Sequence, residues 1–338
     1  MDLNVLWFGL LGVLLSGYAI LDGFDLGVGM LHLRARTDTE RRIFMNSIGP
    51  LWDGNEVWLV TFGGALFAAF PHAYATAFSA FYVPFMVLLF ALIFRAVSME
   101  FRSKRTSNAW RRAFDVAFFV SSGVATLLFG VAVGNSMLGL PIGPDMEFRG
   151  GFFDLLRPYA ILVGVLAVTT FLMHGSIYLY LKTEGELQNR IYGWMRKTFF
   201  AFLGAYVIVT VATLFTIPHA FDNFTRYPWA SVIIVLNALA IANIPRAIHQ
   251  GRPMYAFISS SAAIAALVFL FGMALFPNLI RSSLDPAWSL TIHNAASSQK
   301  TLGIMRNIAV IGMPFVLAYT AVIYWTFRGK VELGKFSY

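Results

Sequence analysis

Six ionisable side chains stand where the surrounding sequence is apolar. Asp22 and Asp25 close an apolar stretch that begins near Val5, in the run Ser16-Gly-Tyr-Ala-Ile-Leu-Asp-Gly-Phe-Asp-Leu-Gly-Val-Gly-Met30. A charge at membrane depth costs roughly 3 kcal/mol or more, so such a group turns inward and marks a candidate functional site. A spacing of three puts both acids on one helix face. Gly23 and Gly27 form a small-xxx-small pair that admits a second helix at close range. The run also reads as a polar helix end whose charges are paired for structure. Asp53 and Glu56, again three apart, lie in Gly49-Pro-Leu-Trp-Asp-Gly-Asn-Glu-Val-Trp58. Intramembrane carboxylates recur in proton relays, whereas the neighbouring Trp52 and Trp58 are also what a membrane interface attracts. Arg95 and Glu100 flank the end of a third apolar segment. Arg95 needs a partner or must snorkel, and Asp22, Asp25 and Asp53 are the candidates. Asp115, after Arg111 and Arg112, reads as a solvated helix-end charge.

Ligands for a metal or haem are scarce. The chain has no cysteine, which excludes disulfides and thiolate sites. Of the histidines, His32, His72, His219, His249 and His293 fall near segment ends or in loops, and His174 alone is deep. A haem with two axial side chains needs ligands at matched depth on facing helices, so none is expected here. The 13 Met residues serve chiefly as packing. No His-Glu-x-x-His, phosphate-binding loop or dinucleotide fingerprint is present. The 33 Phe residues suit a lipid-facing or intersubunit surface, and also a path for O2 or a quinone tail.

These residues must be positioned by membrane-spanning helices. The chain is 58% hydrophobic and 12% charged, with mean hydropathy +0.68, where a soluble domain is about a quarter charged. Segments of about 20 apolar residues cross a bilayer, and nine are expected: 4–30, 54–70, 76–98, 111–138, 156–181, 198–217, 229–248, 254–279 and 307–327. The second is the weakest, since Asp53 and Glu56 open it. The first has no basic n-region and reads as a retained span. With the N-terminus outside, the outer loops hold Arg149, Arg157, Arg226, Arg281, Lys300 and Arg306. The other 19 of the 25 cations, Lys335 among them, fall inside. That asymmetry orients the bundle, puts the C-terminus in the cytoplasm, and explains the net charge of +8 without nucleic acid.

The expected architecture is an all-α, polytopic membrane protein forming one integral domain over 1–338. Its long outer connections are 139–155 and 280–306. The inner ones, 31–53 and 182–197, are charged and helical, the first opening on the capping sequence Thr37-Asp38-Thr39-Glu40. Leu66-Phe-Ala-Ala-Phe-Pro-His-Ala-Tyr74 resembles Leu214-Phe-Thr-Ile-Pro-His-Ala-Phe221, with the Pro-His-Ala cores 147 residues apart. This suggests a parallel pseudo-repeat, 1–140 and 155–280, followed by a last helix at 307–327.

Several runs together resemble subunit II of the cytochrome bd quinol oxidase family. They are Gly17-Tyr-Ala-Ile-Leu-Asp-Gly-Phe-Asp-Leu-Gly-Val-Gly-Met30, Thr37-Asp-Thr-Glu-Arg-Arg-Ile43, Asn46-Ser-Ile48, Trp52-Asp-Gly-Asn-Glu-Val-Trp58 and Gly63-Gly-Ala-Leu-Phe-Ala-Ala69. Phe94-Arg95, Phe101-Arg-Ser-Lys104, Gly185-Glu-Leu187 and Ser297-Ser-Gln299 extend the match over almost the whole chain. The resemblance implies two four-helix bundles plus a peripheral helix, in a bacterial cytoplasmic (inner) membrane. It implies a complex that oxidises ubiquinol or menaquinol and reduces O2 to water. Subunit I would carry haem b and haem d, or haem b alone; subunit II would ligate none. A structural quinone, small single-helix accessory subunits and membrane lipids are further partners. Residue by residue, Asp53 matches a carboxylate of a proton path, joined by Glu56, Glu100 and Asp25. Trp58 matches the mouth of an O2 channel. Asp22, Asp25 and Arg95 match polar positions that fit structural buried charges, and Gly23 and Gly27 a helix contact. Two departures stand out. The connection near 217–229 is shorter than in the longest members, and His293-Asn294 replaces a common Trp-Asp. The rival reading is a proton- or sodium-coupled secondary transporter. Such proteins often use inverted repeats and broken helices, which this chain lacks. A passive scaffold, whose acids only make salt bridges, stays open.

Overall fold

The computed structural model describes residues 2–334; Lys335 lies outside the described residues. The chain is almost entirely helical: α1 (Leu3–Leu31), α2 (Asp38–Ile48), α3 (Trp52–Ala69), α4 (Pro71–Ala80), α5 (Tyr82–Phe101), α6 (Asn108–Leu138), α7 (Pro158–Lys182), α8 (Gly185–Thr216), α9 (Asp222–Arg226), α10 (Ser231–His249), α11 (Pro253–Leu275) and α12 (Gln299–Thr326). Among the described residues, eight helices are long and apolar enough to span a bilayer: α1, α5, α6, α7, α8, α10, α11 and α12, several with short extensions. The chain is an integral membrane protein.

The second expected span, α3, is not among those eight, because Asp53, Asn55 and Glu56 dilute its apolar content. It nevertheless runs antiparallel along α1. Asn55 bonds the Leu21 carbonyl and Asp25 at one end. Trp58 lies against Gly17 midway, and Leu66 and Ala69 join Trp7 and Leu11 in one apolar cluster at the other. The end at which α1, α5, α7 and α10 finish is rich in Arg and Lys and is called the basic end below.

Several boundaries differ from expectation. The third span is two helices, α4 and α5, broken at Phe81, with Pro71 and Pro84 in their first turns. The connection 182–197 is mostly the first turns of α8, which continues into the membrane. The eighth span ends at Leu275. Residues 278–280 instead form a strand, β1 (Asn278–Ile280), antiparallel to β2 (Leu290–Thr291), in the only sheet among the described residues. The last helix starts at Gln299, capped by the Ser298 side chain accepting from the Thr301 amide, so Lys300 and Arg306 are helical. The capping prediction at Thr37 matches the structure: its hydroxyl accepts from the Glu40 amide at 3.2 Å.

α1 and α7 cross at the centre with almost no gap. A Cβ on Gly27 would lie 2.0 Å from the Phe171 carbonyl oxygen, and one on Gly175 would lie 2.7 Å from the Cα of Gly27. The Phe171 ring fills the space beside Gly23. Gly27→Ala therefore forces the backbones apart. Overpacking of this kind costs about 1–3 kcal/mol, and the thermal midpoint of the purified protein should fall accordingly. Gly12→Ala, where a Cβ meets nothing within 4 Å, should leave it unchanged. Equal midpoints for the two variants would mean that the crossing tolerates a wider spacing.

The two Pro-His-Ala segments share a backbone shape. Phe70 has φ −137° and ψ 66°, Ile217 has φ −133° and ψ 68°, and each is buried just before a proline that starts a helical turn. A residue before proline is pushed out of the helical region, so the chain bends in the same way at both segments. α12 is tethered at three heights. Trp7 Nε1 donates to the Leu302 carbonyl at 3.1 Å, and the Tyr324 hydroxyl donates to Asn55 at 2.9 Å. Lys182 Nζ donates to the Phe327 and Gly329 carbonyls.

Candidate functional site

The polar residues of α1, α3 and α5 meet in one buried cluster. Helical spacing turns Asp22 and Asp25 toward the interior, and neither is exposed. Arg95, on α5, is also fully buried. Its Nη1 donates to Asp22 Oδ2 at 2.9 Å and its Nη2 to Asp22 Oδ1 at 2.6 Å, a two-pronged pairing that fixes both side chains. Arg95 Nη2 also lies 2.9 Å from Glu56 Oε1, and the Glu56 side chain remains 24% exposed. Asp25 stands apart from the guanidinium. It accepts from Asn55 Nδ2 at 2.7 Å through one oxygen, while the other has no hydrogen-bond partner. Asn55 in turn accepts from Tyr324, so α12 reaches the cluster through one amide. Two carboxyl groups thus share one guanidinium, with a third held nearby by Asn55, in a setting where charge is costly.

The remaining expected site residues lie around this cluster. Asp53 is in the first turn of α3 and exposed; Glu100 is half-buried nearer the basic end of α5. Trp58 is half-buried, and only glycine at position 17 leaves room for its ring: a Cβ there would come within 2.2 Å of Trp58 Cε3. Asp22, Asp25, Glu56 and Arg95 are therefore brought together, and Asp53, Glu100 and Trp58 flank them. Asn55 and Tyr324 escaped sequence reasoning. Both are polar residues in apolar helices, but only the folded chain joins them.

His174 is engaged on both sides. Its Nδ1 lies 2.7 Å from Ser260 Oγ, its Nε2 lies 3.1 Å from the Ile20 carbonyl, and its ring stacks on Phe257 at 4.7 Å. With both ring nitrogens committed, this donor set does not fit an axial haem ligand. Among the described residues no group of three or more His, Cys, Asp or Glu could hold a metal ion.

A sequence profile of the cytochrome bd terminal oxidase subunit II family matches residues 3–327. The chain belongs to that family. It is 38% identical to the cytochrome bd-I ubiquinol oxidase subunit 2 of Escherichia coli K12, over 97% of this chain and 95% of that one. It is 36% identical to the cytochrome bd ubiquinol oxidase subunit 2 of Bacillus subtilis, over 98% and 97%. Its fold matches a chain in the structure of bd oxidase from Geobacillus thermodenitrificans with a TM-score of 0.80, covering 97% of this chain and 99% of that one, at 18% identity. A subunit II is part of a quinol oxidase, an oxidoreductase complex of the respiratory chain; nothing favours the transporter reading.

This subunit II holds a second charged cluster at its basic end. Asp115, expected as a solvated helix-end charge, is 1% exposed and is a hub. It receives Arg102 Nε at 2.6 Å and Arg41 Nη1 at 3.1 Å, and lies 2.6 Å from His32 Nε2. The correction has a simple cause: the ends of α1 and α5 converge on the start of α6, which local sequence does not show. Arg102 and Arg111 also reach Asp38 on α2, at 2.7 and 3.4 Å. Burial raises the Asp38 carboxyl, but the Arg102 hydrogen bond and the two positive charges outweigh it and hold it below its ordinary range. A depressed carboxyl contributes stability above its unfolded value, about 4, and loses it as pH falls through the lower folded value. Asp38→Asn should thus flatten the acid limb of the melting-temperature profile below about pH 4, with the neutral plateau slightly lowered. An unchanged acid limb would show that the pair carries no linkage.

Proposed function

We propose that this chain is the haem-free half of a respiratory quinol oxidase, docking on the haem-bearing subunit I through the outward face of α3 and through α12. The observation that carries this is a stripe on α3. Asp53, Val57, Val60, Gly64 and Phe67 are all exposed and recur at helical spacing, four apolar or small positions and one acid. A carboxylate turned toward lipid is costly, whereas a second protein can solvate or pair it, and Gly64 lets a partner helix approach. The apolar stretch of α12 has no buried residue, which suits the same covered face.

On this reading α3 is the ninth crossing, with the N-terminus periplasmic and the C-terminus cytoplasmic, and the basic end faces the cytoplasm as the cation asymmetry requires. The membrane is the bacterial inner membrane. The matching bends at Phe70 and Ile217, and the central contact of Gly27 with Gly175, support two parallel four-helix units related by a pseudo-twofold axis. Subunit I supplies haem b with haem d, or haem b alone, and oxidises ubiquinol or menaquinol; a structural quinone and small accessory subunits complete the assembly. Asp53, Glu56, Glu100 and Asp25 line a cytoplasmic proton path, with Trp58 beside an O2 channel. Asp22 and Arg95 hold the frame.

Affinity purification through a tag on this chain tests the reading. A larger haem-bearing subunit should co-purify with a Soret band, and this chain expressed alone should show none. A stoichiometric Soret band from the isolated chain would overturn it.

A further inference from the structure

Two grooves flank α10 at the basic end. One, of about 440 Å³, lies between α10 and α11 among Leu239, Ala240, Ala242, Ile258 and Ala262, with Asn243 bonded to Ser259 and with Arg246 nearest the helix end. The other, of about 400 Å³, lies between α8 and α10 among Phe199, Phe200, Pro245 and Ile248, with Arg196 and His249. Both are apolar along the helices and cationic toward the end.

The charge there is unbalanced. Between Glu186 and Asp285 the single acid is Asp222, on α9 at the opposite end of the bundle. Arg196, Lys197, Arg246 and Arg252 are exposed and form no ion pair among the described residues, whereas Arg190, six residues before Arg196 on α8, is paired with Glu40 at 2.5 Å. A solvated cation on a soluble surface needs no explanation. Here Arg246 and Arg196 each line an apolar groove on helices that cross a membrane, with Arg252 and Lys197 close by in sequence, and basic pockets between such helices attract anionic head groups.

We propose that the two grooves seat an anionic phospholipid, its phosphodiester among Arg196, Arg246 and Arg252 and its acyl chains along either side of α10. The choice of face rests on the oxidase-subunit reading. On that reading α3 and α12 meet subunit I from the α1 side, so α8 and α10, on the α7 side of the α1–α7 crossing, face away from it into the bilayer. A zwitterionic lipid fills the grooves but leaves the cations uncompensated, and a quinone tail makes no use of them.

The test uses the whole oxidase complex, purified in a non-ionic detergent, delipidated, and titrated with dioleoyl phosphatidylglycerol or dioleoyl phosphatidylcholine under native mass spectrometry. Each cation near the head group is worth roughly fivefold. Arg196→Gln with Arg246→Gln should therefore weaken the tightest phosphatidylglycerol site roughly 25-fold and leave phosphatidylcholine binding unchanged. Ala242→Phe, which fills a groove without touching charge, should weaken that same site. Equal affinity for the two lipids, or a site indifferent to these substitutions, overturns the proposal. So does loss of bound quinone in place of phospholipid. The Soret band of each variant reports separately whether the oxidase has assembled: without it in the wild type the oxidase reading fails, and with it the lipid result stands alone.

Discussion

Arg95→Ala should nearly abolish the haem-loaded complex. The guanidinium is fully buried, gives two hydrogen bonds to Asp22 and sits 2.9 Å from Glu56. Removing one partner of a buried pair strands the other and costs about 3–5 kcal/mol, because the remaining charge has neither water nor a counterion. That is comparable to much of a domain's net stability. Asp22→Asn alone should also lower assembly, since it strands the Arg95 charge against the single remaining, partly exposed Glu56. The pair differs from its parts. Asp22→Asn combined with Arg95→Gln removes both charges at similar volume and should recover much of what either single change loses. The measurement is haem per tagged subunit, with the melting temperature of whatever complex is recovered. Normal haem content in both single variants would show that the ion pair is incidental to the fold.

Much of this cluster was legible in the sequence, because depth in a bilayer is itself information. An arginine one turn inside a span demands a partner, and only a few acids lie at comparable depth; of Asp22, Asp25 and Asp53, the structure pairs it with Asp22 and adds Glu56. The apolar run that defines each span also placed the middle of each long helix. What escaped was contact between distant elements. Asn55 and Tyr324 are 269 residues apart, and nothing local marks either as part of a polar thread. Asp115 misled for the same reason: its own helix end is basic and looks solvated, but His32 and Arg102 arrive from other helices. Helix ends were misplaced where polar residues are helical, as at Gln299-Lys300, since hydropathy detects the apolar middle of a helix and not its cap. The short strands at 278–280 and 290–291 carry too few residues for alternation to register.

Asp53→Asn should separate transport from architecture. The substitution keeps the side-chain shape, and Asp53 is exposed in the first turn of α3 and forms none of the buried pairs, so assembly, haem content and melting temperature should match wild type. Turnover should not. If Asp53 passes protons inward to Glu56, one turn along the helix, an amide cannot carry a proton in its place. A positioned proton-transfer group contributes about 100-fold or more. Quinol-driven O2 consumption per haem should therefore fall by about 100-fold, with proton uptake slowed in parallel. Wild-type turnover in an intact Asp53→Asn complex removes Asp53 from the path. The scaffold alternative makes the opposite forecast: Asp53 would then matter only for the α3 face that meets subunit I, and its loss would reduce haem per tagged subunit while each assembled complex turned over normally. Glu56→Gln discriminates further. It neutralises the more exposed partner of Arg95, so it should cost less stability than Arg95→Ala, yet on the relay reading it should slow turnover as severely as Asp53→Asn. A large stability loss at Glu56 with unchanged turnover per haem would place that carboxylate in the frame with Asp22, and leave the path to enter subunit I without crossing this chain.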